Sequence, residues 1–395
     1  MNDRTVETFN KSRTDSSHII NVIDEYDYST QQEDYNKHFI AWRKNKDNPY
    51  AYNLSIDKKE SIYIVGQGFI DTSVSDAELT ILSRILKVIG VAILTLLIIE
   101  DVFDKLFVAL LDLLGVDIHC SISSALIYGG RTEVVVTLIF ITLIKFTVPL
   151  AIVNKKFKMP KQIRRPCQLR DISEPISAIC VTMMLSVIAS YAFGFLEEMK
   201  GIYSFFLGHN ADVSLWNQTE FIAYAFVDIV VLSVATELLF RGAMLTALRQ
   251  FGDVYAIIIT SVLTGLSSQN LTSMFGVMGI SAVCAIGTLL SGSIMAAIFT
   301  RMSYKIYLLT LTIIDSKCTE NIELVRNLYM LTVFVVSAVL FTVLFLTKER
   351  RKRPFFAKYK EHTSMRRKLT CTIRTLPIAA VVALSLFAAV YERVF

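Results

Sequence analysis

The five histidines of this 395-residue chain all lie outside its long apolar runs. They are His18, His38, His119, His209 and His362. Imidazole is a usual ligand of catalytic zinc and a usual general base near neutral pH. The apolar part of the chain therefore lacks the side chain on which metal-dependent or histidine-dependent hydrolysis ordinarily relies.

Charged residues are also scarce, at 19% of the chain against 53% hydrophobic residues. Soluble domains average about 25% charged residues and have few apolar segments of membrane-spanning length. The six cysteines include no pair at the spacing of a zinc or redox motif. This composition argues against an ordinary soluble enzyme and predicts an all-α, polytopic integral membrane protein.

Apolar runs predict a bundle of about nine transmembrane helices, with eight to ten as the range. The fifth run, 255–266, and the seventh, 306–314, are shorter than the roughly 20 residues that cross a bilayer. We expect these two to tilt, to re-enter or to use flanking polar residues. The other predicted spans are residues 82–99, 134–153, 176–196, 220–240, 275–300, 328–346 and 376–390.

Two strongly basic loops set the predicted orientation. Residues 155–170 include seven Lys or Arg and no acid, and residues 348–374 include eleven against two acids. Because basic loops stay in the cytoplasm, we expect a multi-pass protein of the cell membrane with a cytoplasmic N-terminus. The same topology places Arg301 and Lys305 in the cytoplasm. Since the basic loops adjoin membrane spans, the expected partner is the lipid bilayer and not nucleic acid.

Composition divides the chain into three regions. Residues 1–80 are polar and of mixed charge, which predicts a partly disordered cytoplasmic N-terminal tail with a short strand near 61–65. Residues 81–315 form the expected transmembrane core. Residues 316–395 form a C-terminal segment of two spans that contains the basic cytoplasmic loop 348–374.

Glu237 and Arg241 interrupt the apolar run 226–242. A charged side chain near the centre of a bilayer costs roughly 2.5–3.5 kcal/mol on insertion scales. Four residues apart on a helix, the two side chains share a face and can neutralise each other. Such a pair is a functional-site hypothesis by default. Asp228, nine residues earlier, falls on the opposite face of a regular α-helix, and we expect it near the outer membrane interface.

The stretch 236–250, with Leu-Leu-Phe-Arg-Gly at 238–242, resembles the signature helix of the CPBP family, the CAAX-protease and bacteriocin-processing (Abi) intramembrane proteins. The family pattern there is Glu-Glu-x-x-x-Arg. The stretches 257–268 and 292–301 are similar to the helix of the second motif, Phe-x-x-x-His, and to the helix before the third, His-x-x-x-Asn. The similarity covers roughly 80–315 and identifies a divergent member. It implies an intramembrane metallo-endopeptidase whose glutamate and histidines bind a metal or activate a water.

Several motif positions depart from that pattern. Glu237 and Arg241 are retained as candidate catalytic positions, and the substituted positions are Thr236 (first glutamate), Ser268 (second-motif histidine), Thr312 (third-motif histidine) and Ser316 (asparagine). Hydroxyls are poor metal ligands and poor bases at ordinary pH, and a glutamate held ionised by an arginine is a weak base. No metal-ligand set is predicted, and zinc is implied only for an active member.

Three functions remain open at this point. The first is a CPBP-like protein with a degraded catalytic site that binds or shields a membrane protein or peptide partner, or confers immunity to a peptide. The second is an active intramembrane peptidase with unusual ligands such as Asp228, Cys284 or Asp315. The third is a small-solute transporter in which Glu237 is the coupling carboxylate.

Overall fold

The described residues of the protein are almost entirely helical, which confirms the all-α prediction. The computed structural model describes residues 19–21, 32–45, 48–51, 55–57, 61–64, 67–120, 127–169, 171–192, 218–269, 271–317, 321–347 and 362–394. In chain order, their helices are α1 (Glu33–Lys44), α2 (Val74–Leu113), α3 (Arg131–Phe157), α4 (Lys161–Arg164), α5 (Ser173–Ala192), α6 (residues 218–251), α7 (Asp253–Leu266), α8 (Leu271–Ser291), α9 (Ile294–Lys317), α10 (Ile322–Thr347), α11 (Met365–Arg374) and α12 (Leu376–Val394).

Short strands form two small antiparallel sheets outside the helical bundle. The strands are β1 (Ile19–Asn21), β2 (Ser55–Asp57), β3 (Ser61–Ile64), β4 (Gly68–Asp71), β5 (Ile118–Cys120) and β6 (Ile127–Gly129). The first four pair in chain order, with Ile20 opposite Ile56 and Ile62 opposite Ile70. Strands β5 and β6 pair with each other, with His119 opposite Tyr128. Strand β3 confirms the strand predicted near 61–65.

Seven of the described helices are long and apolar enough to cross a membrane, or eight if α11 and α12, which meet at 74°, form one broken span. The predicted count of nine spans is therefore close to the seven or eight candidate spans of the described residues. The predicted fifth run is α7, which has 14 residues and is too short to cross a bilayer by itself. These apolar helices imply a multi-pass membrane protein in a lipid bilayer.

The first span is longer than the apolar run that predicted it. Helix α2 begins at Val74, where the Ser73 side chain accepts a hydrogen bond from the Asp76 N–H at 3.2 Å and caps the first turn. It has 40 residues and is about 60 Å long, roughly twice the thickness of the hydrocarbon core. The helix therefore extends well beyond the membrane, and its polar first turns pack against α11.

The predicted span 275–300 is wrong, because the chain breaks there into α8 and α9. Gly292 has φ of +70°, a left-handed conformation that favours glycine. The turn is fixed by Pro166, whose carbonyl accepts from the Ile294 N–H at 2.8 Å and from the Ser293 hydroxyl at 3.0 Å. Helix α9 thus starts earlier than expected. Arg301 lies inside this helix and is buried, so its predicted place in a cytoplasmic loop is wrong.

The N-terminal region packs against one end of the bundle. Trp42 of α1 donates from its indole nitrogen to the Phe157 carbonyl at 3.0 Å. The Gln250 side chain donates to the Tyr50 carbonyl at 2.9 Å, and the guanidinium carbon of Arg249 lies 5.6 Å from the ring centre of Tyr35. The described part of the predicted tail is therefore docked where α6 ends, which its polar composition did not reveal.

Candidate functional site

Helix α6 lies at the centre of the bundle. Residues 239–251 are buried without interruption, and the helix contacts α3, α7, α8 and α9. Gly242 permits one close approach, since a Cβ there would lie 2.6 Å from the Arg164 carbonyl oxygen. The glycine of the Phe-Arg-Gly motif thus lets α6 pack directly on the loop between α3 and α5.

Glu237 and Arg241 form an ion pair on this central helix. The distance from Arg241 Nε to Glu237 Oε2 is 3.2 Å, and both side chains are fully buried. Arg241 also donates from Nη2 to the Ser281 carbonyl and hydroxyl oxygens, both at 2.5 Å. Its Nη1 lies 3.5 Å from the Thr264 hydroxyl oxygen. Arg241 therefore ties α6 to α7 and α8, which is a structural role as well as a neutralising one.

Arg301 is the residue of this cluster that the sequence did not reveal. It comes from α9, 64 residues further along the chain, and its Nε donates to Oε1 of Glu237. Glu237 is consequently held between two guanidinium groups from two helices. A charge-assisted pair of this kind is strong, and its loss would leave a buried charge unpaired.

A second buried ion pair joins the same two helices. Lys305 Nζ lies 2.5 Å from Asp228 Oδ1, and both side chains are buried. Asp228 and Glu237 both contact α9, so the expectation that they lie on opposite faces of the helix is wrong. The reason is a π-helical stretch, Val227–Leu232. A π turn closes i→i+5 hydrogen bonds and so holds more residues than an α turn, which changes the angle between the two carboxylates.

Charged pairs also occur elsewhere in the spans. Lys145 of α3 lies 2.5 Å from Glu100 of α2, in a part of α2 that is also π-helical. The side chains are largely buried. The candidate spans of the described protein thus contain ion pairs at several positions, and in the pair Glu237–Arg241 both side chains are 0% exposed.

The substituted motif positions do not add a base to this cluster. The Thr236 hydroxyl donates to the Leu232 carbonyl at 2.7 Å. The Ser268 hydroxyl donates to the Gly265 carbonyl at 2.6 Å. Each hydroxyl proton is therefore directed at its own backbone.

Thr312 and Ser316 lie in the second half of α9, and their side chains are outside the described residues. Thr312 is eleven residues beyond Arg301, or about 16 Å along the helix axis. Because Arg301 is the residue that contacts Glu237, the segment 312–316 sits about three turns away from the level of the cluster.

The remaining candidate ligands do not complete a metal site. Cys284 is fully buried, with its sulfur 3.8 Å from the Ala297 carbonyl oxygen, as expected of a packing residue. Asp228 is engaged by Lys305, and the Asp315 side chain is outside the described residues. The described part of the chain has no cluster of three His, Cys, Asp or Glu placed to bind a metal. A carboxylate between two arginines does not fit Zn²⁺, which needs nitrogen, sulfur or free carboxylate ligands.

Fold and site together define an all-α, multi-pass membrane protein with an acid–arginine cluster on its central helix. Residues 218–307 match the model of the type II CAAX prenyl endopeptidase Rce1-like family. This match is consistent with a member of the CPBP/CAAX-protease family and confirms the resemblance seen in the sequence. Comparison with curated proteins and with solved structures gives no match. The matched segment contains Glu237 and Arg301 and ends before Thr312.

Proposed function

We propose that this CAAX-protease-like membrane protein does not hydrolyse peptide bonds and instead binds a membrane protein or peptide partner. The observation that supports the proposal is the position of Glu237 between Arg241 and Arg301. A general base must have a carboxylate oxygen free to take a proton from water. The Glu237 side chain is fully buried and has a guanidinium group at each of its two oxygens, so neither oxygen is open to an attacking water.

The third motif is assigned to Arg301 and Lys305 in this proposal. The two residues are four apart on α9, which is the spacing of His-x-x-x-Asn. They face Glu237 and Asp228, and both fall within the matched segment. Replacement of an imidazole and an amide by an arginine and a lysine that pair with carboxylates substitutes ion pairing for proton transfer. This assignment supersedes that to Thr312 and Ser316.

A binding role fits the way the cluster is built. Arg241 and Glu237 connect four helices, α6, α7, α8 and α9. Removal of one partner of a buried ion pair costs about 3–5 kcal/mol, so the cluster fixes the arrangement of these helices. Helices that are held in a fixed arrangement can bind a partner without cleaving it. A protein that confers immunity to a peptide would act in the same way, by binding that peptide as its partner.

The basic loops support a location in the cell membrane with a cytoplasmic N-terminus. Residues 158–170 of the loop between α3 and α5 include five Lys or Arg and no acid, and Cys167 within this stretch is exposed. Positive loops of this size stay on the cytoplasmic side. The docking of α1 against the same end of the bundle, through Trp42 and Phe157, supports the same side for the N-terminal region.

The proposal is tested with the full-length protein in lipid nanodiscs and a fluorescent farnesylated peptide that ends in a CAAX sequence. We expect saturable binding and recovery of the intact peptide. An unprenylated peptide of the same sequence is the control for nonspecific binding. Peptide cleavage by the wild type that Glu237→Gln abolishes would overturn the proposal and establish the active-peptidase alternative.

Transport is a second candidate function, and the ion pairs at several membrane levels favour it. Glu100–Lys145 and Asp228–Lys305 lie within the spans in addition to Glu237, and buried charges often mark an ion or proton pathway. Proteoliposomes loaded with a pH-sensitive dye test this directly. If the protein is a transporter, its proteoliposomes should show more proton flux than protein-free liposomes. Asp228→Asn should abolish that excess flux.

A further inference from the structure

The cluster on α6 carries more positive than negative charge. Arg241 and Arg301 both pair with Glu237, while Lys305 is paired with Asp228. One carboxylate therefore faces two guanidinium groups, which leaves one positive charge in excess. A net charge inside a low-dielectric bundle is expensive unless an opposite charge compensates it.

The two arginines differ in how their terminal nitrogens are satisfied. The Arg241 and Glu237 side chains are 0% exposed, whereas Arg301 is 6% exposed. Both terminal nitrogens of Arg241 contact Ser281 or Thr264. Nη2 of Arg301, by contrast, is buried and has no hydrogen-bond partner among the described residues. Since buried polar groups are nearly always hydrogen-bonded, this nitrogen points to a group that it recognises.

The Ser233 hydroxyl is a second buried group without a hydrogen-bond partner among the described residues. It lies on α6, one helical turn before Glu237. Ser233 is four residues before Glu237 and so lies on the same helical face. Its side chain is fully buried, and its hydroxyl has no hydrogen-bond partner among the described residues. Along the chain, Ser233 falls between Asp228 and Glu237, the two residues that join α6 to α9. The structure thus provides two buried donors without partners among the described residues, a guanidinium on α9 and a hydroxyl on α6, in helices that contact each other.

The part of α6 beside this interface is only partly covered by the rest of the protein. Residues 229–232, 234 and 235 of α6 are only partly buried, and Phe226 is exposed in the same helix. These residues lie within a candidate membrane span. A ligand that reaches Arg301 therefore comes most directly from the hydrocarbon phase and must be soluble there.

We propose that Arg301 and Ser233 bind the carboxylate of a lipid-soluble acid, such as a fatty acid, that enters from the bilayer beside α6. A guanidinium group matches a carboxylate in charge and in planar geometry. A monoanion neutralises the single excess charge, whereas a dianion such as a phosphate monoester leaves a net negative charge. The inference takes from the proposed function only that the cluster is a binding site and not a hydrolytic centre.

The test compares decanoate with decanamide, its neutral analogue of equal chain length, on the purified full-length protein in neutral detergent. Binding of a ligand to the folded state raises the unfolding temperature in a concentration-dependent way. We expect decanoate to raise it and decanamide to have no effect at the same concentrations. Arg301→Gln should raise the half-maximal decanoate concentration at least about tenfold, which corresponds to about 1.4 kcal/mol.

Arg249→Gln is the matched control, because Arg249 is also buried and paired with a carboxylate, Asp253, at 2.7 Å. It should keep the wild-type response to decanoate. If Arg301→Gln does not fold, Ser233→Ala replaces it, since it leaves the ion pairs intact and should also weaken decanoate binding.

Equal effects of decanoate and decanamide on the wild type would overturn the proposal, and so would an unchanged response in a folded Arg301→Gln or Ser233→Ala protein. The assay measures no peptide cleavage. Discovery of peptidase activity would therefore contradict the proposed function and leave the carboxylate result to be judged separately.

Discussion

Arg301 of α9 donates a hydrogen bond to Glu237 of α6 inside the membrane core, at the level where the resemblance implies a hydrolytic centre. Both side chains are essentially buried, and Arg241 lies on the other carboxylate oxygen at 3.2 Å. The glutamate of the motif-like stretch 236–250 thus lies buried between two guanidinium groups.

The cluster should behave as one energetic unit. Glu237→Gln leaves two buried guanidinium groups without their carboxylate, and we expect it to destabilise the protein by about 3–5 kcal/mol. The double variant Glu237→Gln/Arg301→Gln removes one charge of each sign and should recover part of that loss. Thermal unfolding of the four proteins of the double-mutant cycle in detergent measures the coupling. Additive effects of the two changes would show that Arg301 and Glu237 do not interact.

Gly242 should not tolerate a side chain. A Cβ at this position would lie 2.6 Å from the Arg164 carbonyl oxygen and 3.3 Å from Ile294 Cδ1, so Gly242→Ala should destabilise the protein by about 1–3 kcal/mol. Gly276 of α8 is the matched control, because a Cβ there meets no atom within 4 Å. Gly276→Ala should be neutral or stabilising by up to about 1 kcal/mol. Unfolding temperatures of the two variants check this, and equal values would contradict the close approach of α6 to the Arg164 loop.

The turn between α8 and α9 should require glycine. Gly292 has φ of +70°, and an L-residue in that conformation costs roughly 1–2 kcal/mol. Gly292→Ala should therefore lower the unfolding temperature, whereas Gly279→Ala, a helical position with no atom within 4 Å of the added carbon, should not. If both variants unfold at the wild-type temperature, the chain does not break at Gly292 as described.

Chelators should leave the protein unchanged. The described residues around Glu237 do not form a zinc site, so we expect 1,10-phenanthroline to alter neither the unfolding temperature nor peptide binding. Elemental analysis of protein purified without chelator provides the independent measurement. One zinc ion per chain, lost together with stability on chelation, would refute this prediction.

The orientation predicts which side of the membrane presents Cys167. A variant in which the other cysteines are replaced by serine leaves this exposed thiol in the basic loop between α3 and α5. A membrane-impermeant maleimide should label it only after the cells are permeabilised. Labelling of Cys167 in intact cells would put this loop outside the cell and contradict the proposed orientation.

Local periodicity explains why part of this protein could be predicted. Apolar runs of spanning length give the membrane class and the helical fold, because each helix satisfies its own backbone within one segment. The Glu237–Arg241 pair was also predictable, since four residues on one helix always bring two side chains to one face. The motif at 236–250 led to the family for the same reason: all of its residues lie in one helix.

Only the tertiary structure decided which residues face Glu237. The sequence shows no break at Gly292, so Arg301 and Lys305 were predicted to lie in a loop. Their contacts with Glu237 and Asp228 join positions 64 and 77 residues apart. The π-helical stretch that turns Asp228 toward Lys305, and the docking of α1 against the end of α6, likewise depend on packing between distant segments. The sequence alone determined that a charged pair lies within the membrane. Because no local pattern encodes contacts between helices, only the fold determined that a second arginine neutralises that pair's carboxylate.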